Sequence, residues 1–258
     1  MTSTSKWMKN NKRMQRKYYF DSIFSIGIMI LSTMLSSFAS AYPTISKKDT
    51  AIIRCDSLLS HKISDNRGNA PLELKGVRNL RVVLNDVLYR SGANNIYNPF
   101  LSRANNNPVS LQTLLNLYES GFDKVYYLYR DNFNTAYTPE MINDLKNIGI
   151  TYTSMVPTND SLRYLILSDI YKQIKSPGSG AILLHCWNGW HMSGMISALA
   201  LRQFCDFSPQ KAWTYWQMCT DGNDKGFNTI RERIINFTPY ESLRISPEEK
   251  KRVCPCKM

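Results

Sequence analysis

Long apolar runs, zinc-type cysteine pairs and histidines are all scarce in this 258-residue chain. The longest apolar stretch begins at Ile23 and continues to Met34 and Leu35. It is broken by serines and falls short of the ~20 residues that a bilayer span requires. The six cysteines (Cys55, Cys186, Cys205, Cys219, Cys254 and Cys256) form no pair of C-x-x-C units, which argues against a structural zinc site. No metal and no cofactor is expected. Only three histidines occur, and two of them, His185 and His191, flank Cys186. Nucleic acid is not an expected partner, because no recognition motif occurs and no basic stretch with interleaved aromatics lies beyond the N-terminus.

What the chain does have begins with an address. Lys6, Lys9, Lys12, Arg13, Arg16 and Lys17 precede the apolar stretch, which closes on Ala39-Ser40-Ala41. Basic segment, apolar segment and small-x-small site in that order predict a signal peptide over 1–41, cleaved after Ala41. The alternative is an uncleaved anchor, the one case in which a membrane would be a partner. An exported protein, periplasmic or secreted, is expected. Loss of 1–41 removes six cations and one acid, Asp21, so the net charge falls from +12 to +7. That basic balance favours anionic partners. In an oxidising compartment, Cys55 and the Cys254-Pro-Cys256 tail read as staples for terminal segments. Cys205 and Cys219 read as small buried hydrophobes.

Hydrophobic content of 43% is ample for a core. Strands are predicted at 80–84, 87–90, 124–129, 150–156 and 181–184 from β-branched and aromatic runs bounded by turn residues. Helices are predicted at 51–60, 110–120, 139–147 and 161–175, from Met195 to Leu201, and from Ser208-Pro209 through Trp216. This alternation predicts an α/β domain over 80–240, a mostly parallel central sheet flanked by helices. A lead-in over 42–79 precedes it and a tail over 241–258 follows.

The chemistry concentrates in HCWNGWHMSG, residues 185–194, where the last predicted strand turns tightly into a buried helix. Such a turn gathers backbone N–H groups at a helix N-terminus and favours an anion. A cysteine at its start is activated as a nucleophile. Cys186 holds that place, Gly189 permits the turn, and Ser193 sits where a hydroxyl can bond the sulfur.

This segment resembles the signature of the cysteine-dependent tyrosine and dual-specificity phosphatases: His-Cys, five residues, Arg, then Ser or Thr. His185, Cys186, Gly189, Ser193 and Gly194 match it. VLYRSGANN from Val87 and GFDKVYYLY from Gly121 are similar to segments of the bacterial dual-specificity type, so the likeness spans about 80–221. It implies a protein-tyrosine-phosphatase-like fold. It also implies Cys186 as nucleophile, Asp160 as general acid, and a phosphate site formed by His185, Trp187, Asn188, Gly189, Trp190, Met192 and Gly194. The departure is Met192, which stands where the family carries its phosphate-clamping arginine, a task a thioether cannot perform. His191 is one candidate replacement; Arg231 and Arg233 are others, with Arg202 less favourably placed.

Structural alternatives stand beside these roles: a helix-capping Asp160, an exposed loop His191, a buried loop-orienting His185, and Trp187 and Trp190 packed on neighbouring helices rather than walling a pocket. Three functions follow. The first is a phosphatase-like protein that binds a phosphorylated small molecule, lipid or protein with impaired or absent hydrolysis. The second is an active phosphomonoester hydrolase with a substitute cation. The third is a non-catalytic structural protein in which Cys186 is buried or disulfide-bonded.

Overall fold

The computed structural model describes residues 61–66, 68, 77–93, 108–130 and 132–255. The predicted signal peptide, the helix at 51–60, the Asn-rich loop, Cys55 and Cys256 lie outside the described residues.

Five strands form one sheet: β1 (Arg81–Leu84), β2 (Leu88–Ser91), β3 (Phe122–Tyr127), β4 (Thr151–Ser154) and β5 (Ala181–His185). Their order is β1-β2-β5-β3-β4, antiparallel only between β1 and β2. β5 is therefore central, flanked in parallel register by β2 and β3. Its five residues are all buried, which is why it reads as an unbroken apolar run rather than an alternating one. Successive side chains leave opposite faces of a strand. Ala181 and Leu183 join Val125 and Tyr127 in one core, while Ile182 and Leu184 join Tyr126 in the other.

Helices cover both faces. Leu114 and Leu117 of α1 (Leu111–Glu119) and Leu145 of α3 (Pro139–Ile148) pack into the first core, with Phe133 of the single-turn α2 (Phe133–Ala136). The second core takes α4 (Asp160–Lys175), α5 (Met192–Phe204), α6 (Pro209–Met218) and α7 (Asn228–Ile235). The α/β prediction with a mostly parallel sheet therefore holds.

Two boundaries differ in ways that matter for the site. α4 is capped by Asn159, whose side chain accepts from the Leu162 N–H, so the helix starts at Asp160, one residue before the predicted 161. α5 starts at Met192, not Met195, so the end of the HCWNGWHMSG loop is already the first helical turn.

The segment set apart as a tail is part of this body. A 3-10 turn (Glu241–Leu243) and α8 (Pro247–Val253) place Leu243, Ile245 and Val253 in the second core. α8 opens with a reciprocal capping box between Ser246 and Glu249. Cys205 forms a disulfide with Cys254, which corrects the reading of Cys205 as a small buried hydrophobe. The physical reason is topological: α5 ends beside the end of α8, bringing together two thiols 49 residues apart. Closing a loop of that length restricts the unfolded chain by about 4 kcal/mol on the chain-entropy account. Cys219 is buried and forms no disulfide, as expected.

Candidate functional site: the Cys186 loop

Ligands of open α/β sheets bind outside the carboxyl ends of the strands, and β5 delivers Cys186 to that edge. The loop that follows is held from outside, carbonyl by carbonyl. The Trp187 oxygen accepts from the Ala93 N–H (2.8 Å) and from Arg78 Nη2 (2.6 Å). The Asn188 oxygen accepts from Asn79 Nδ2 (2.7 Å). The Gly189 and Trp190 oxygens both accept from Arg90 Nη2, the latter at 3.1 Å. The His191 oxygen accepts from the Met195 N–H (2.8 Å) and from Trp216 Nε1 (3.1 Å).

A trans peptide directs its C=O and the following N–H to opposite sides. Five consecutive carbonyls turned toward the scaffold therefore turn the N–H groups of Asn188, Gly189, Trp190, His191 and Met192 to the other side. Such an arrangement can receive an anion, and the N-terminus of α5 adds its partial positive charge. Two glycines make the fold of the loop possible. Gly189 has φ +73°, and a Cβ there would lie 2.6 Å from the Gly92 nitrogen. A Cβ on Gly92 would lie 2.7 Å from the Asn188 carbonyl carbon.

Cys186 is buried and free, its Sγ 3.3 Å from Ser193 Oγ. Ser193 is fully buried, and its hydroxyl also lies within 3.4 Å of the Ser91 oxygen. The predicted Cys186–Ser193 contact is present, and the structure contains no disulfide at Cys186. His185 is wholly buried, with Nε2 2.8 Å from the Tyr152 hydroxyl and its ring stacked on Tyr127. Burial lowers its pKa to about 3, so it is a neutral, loop-orienting residue.

The remaining loop side chains turn to the walls. Trp187 is half-buried, donates from Nε1 to the Tyr127 hydroxyl (3.3 Å) and packs against Tyr129. Trp190 is buried and donates to Asp221 Oδ2 (3.1 Å). Asn188 Oδ1 lies 3.4 Å from Arg78 Nη1. Gly194 sits where a Cβ would come 2.8 Å from Arg90 Nη2.

The residues considered as substitutes for the family's arginine have these surroundings. His191 bonds the Asn223 oxygen through Nε2 (2.8 Å) and stacks on Phe227 at 3.7 Å. Burial lowers its pKa, so it is held neutral against the turn before α7. The neighbours of His191 in this structure are thus Asn223, Phe227 and Trp216. Arg202 donates to the Ile234 and Ile235 oxygens, capping α7. Asp160 is exposed, pairs with Arg163, and lines a cavity of about 450 Å³ together with Arg233, Phe237 and Tyr240. No residue of the 185–194 loop lines that cavity. Arg231 lies exposed on α7. Met192 is half-buried at the first position of α5, against the second core.

What sequence reading missed is the underside. Arg78, Arg81 and Arg90 are the largest charged side chains buried in the described residues, each 1% exposed or less. Arg81 lies 3.5 Å from Asp221, which also pairs with Lys62 (2.8 Å). Burial, then the neighbouring Arg90 charge, lowers the Arg81 pKa. The available signal was the YRSG segment, which contains Arg90; nothing in it says that the guanidinium faces inward.

No protein-family model matches the chain, and no curated protein does. Solved structures do show likeness. The core catalytic domain of the PP-IP phosphatase SIW14 from S. cerevisiae, in complex with citrate, is 17% identical with a TM-score of 0.40, over 67% of this chain and 88% of that one. Tk-PTP in its active form is 15% identical with a TM-score of 0.40, over 62% and 97%. TpbA from P. aeruginosa is 16% identical with a TM-score of 0.39, over 63% and 88%. At this level of likeness the chemistry of the site rests on the geometry above.

Proposed function

We propose that the chain is an exported phosphatase-like protein that binds a phosphorylated or otherwise anionic ligand in the Cys186 loop, with hydrolysis impaired or absent. The observation that carries this reading is the run of five scaffold-bonded carbonyls from Trp187 to His191, which presents converging N–H donors beside a free Cys186. Binding is built in. Two features weigh against turnover: Met192 offers no cation, and the aspartate expected as general acid is already paired with Arg163. Removal of one oxyanion donor slows catalysis by about 10²–10³, and of an arginine acting on phosphoryl transfer by about 10³–10⁵.

The ligand is a phosphorylated small molecule, lipid or protein, met outside the cytoplasm once 1–41 has been removed. The test uses the purified protein with inorganic phosphate, sulfate and vanadate as binding probes and an aryl phosphate as substrate, beside Cys186→Ser. Oxyanion binding with negligible turnover supports the reading. Rapid turnover dependent on Cys186 would sink the impaired-enzyme part, and absence of oxyanion binding would sink the whole. Mass analysis of the exported chain checks cleavage after Ala41.

A further inference from the structure

The Cys186 loop has a buried cation beneath it that none of the described carboxylates neutralises. Arg90, on β2, is wholly buried. Its hydrogen-bond partners are all neutral oxygens: the Gly189 and Trp190 carbonyls through Nη2 and the Tyr215 hydroxyl through Nη1 at 3.3 Å. Its Nε has no acceptor. No ion pair of the described residues includes it. The Cys186 and Cys219 thiols lie within its electrostatic reach. A buried charge without a counter-ion is costly, and the loop is built to accommodate this one. Gly194, the last residue of the signature-like segment, leaves the space that Nη2 occupies, since a Cβ there would come within 2.8 Å.

The consequence lies in the peptides that Arg90 grips. A cation on a carbonyl oxygen polarises the whole amide, and hydrogen bonds in chains strengthen one another. The N–H groups on the far side of the Gly189 and Trp190 carbonyls belong to Trp190 and His191, both turned toward the concavity. We propose that Arg90 is the positioning residue through which the Cys186 loop prefers a doubly charged tetrahedral oxyanion to a singly charged one, its charge reaching the ligand through the Gly189 and Trp190 peptides. This rests on the oxyanion-binding reading above. It differs from an arginine at the mouth, which grips the ligand's own oxygens: Arg90 never touches the ligand.

Sulfate and perchlorate are both tetrahedral and differ by one charge, so the ratio of their affinities at fixed ionic strength reads the effect. Arg90→Met is expected to weaken sulfate binding at least about tenfold, the scale of one charge-assisted hydrogen bond, with a much smaller change for perchlorate. Arg90→Lys keeps the charge on one nitrogen, as Nη2 alone meets both carbonyls here, so the ratio is expected to survive. Gly194→Ala crowds the guanidinium without removing it. It is expected to lower the ratio several-fold in a protein that still folds, and it decides the matter if Arg90→Met does not fold. A purely structural Arg90 would lower melting temperature and leave the ratio unmoved, which would overturn this inference alone. Wild-type protein that binds neither sulfate nor phosphate would instead overturn the reading on which it rests.

Discussion

The two sides of the Cys186 loop are built in opposite ways. Its underside is polar and crowded: Arg78, Asn79, Arg90 and Trp216 each donate to a loop carbonyl. Its mouth side has Met192 at the helix start, with Trp187 resting on Tyr129. Positive charge is concentrated where a ligand cannot reach it. The comparison separates two requirements that a phosphate site normally meets together. Shaping a concavity for an anion needs donors behind the peptides, whereas stabilising a transferring phosphoryl group needs a cation in front of them. On the function proposed above, this chain keeps the first and carries a thioether in place of the second.

The largest effect should come from the mouth. Met192→Arg is expected to raise Cys186-dependent turnover of an aryl phosphate by about 10²–10³, measured as kcat/KM. No gain would mean that a different part limits turnover, with Asp160, paired with Arg163, the next suspect. On the underside, Gly189→Ala forces a Cβ against β2 at a positive φ and should cost roughly 2–4 kcal/mol, read from denaturant melts, with loss of oxyanion binding. Acid should act on the underside as well. The unfolded chain protonates His185 near its ordinary 6.5, whereas the folded chain resists until about 3. Stability held at neutral pH should therefore decline progressively as pH falls from about 6.5 toward 3. His185→Asn should flatten that decline in melts run across the range. Smallest is Trp190→Phe, which removes the bond to Asp221 while keeping an aromatic ring. A cost of about 1–2 kcal/mol is expected, with oxyanion affinity reduced less than by any change at Arg90.

Much of the frame was legible in the sequence because β5 and its neighbours announce themselves. A short apolar run between Gly180 and a Gly-bearing turn has few alternatives to a central strand. Cys186, Gly189 and Ser193 were legible for a related reason, since the chemistry of a thiol at such a turn constrains its neighbours. The buried arginines were not. Arg78, Arg81 and Arg90 read as ordinary surface cations until the topology places β1, β2 and the Cys186 loop together. Sequence spacing carries no information about a carbonyl that lies about a hundred residues away. The neighbours of His191 were not legible either, for a geometric reason: adjacency along a tight turn places neighbouring side chains on different sides. α7 was missed because it lacks a side-chain cap. The capping box of α8, Ser246 with Glu249, was readable and lay in a stretch set aside as a tail.

The link between Cys205 and Cys254 also alters how damage to this protein would look. Arg244 is exposed just before α8, and a trypsin-like cut there would free the last helix in sequence but not in fact. The fragment would stay attached to the end of α5, so the nicked chain would run as intact protein without reductant and shed a short peptide with it.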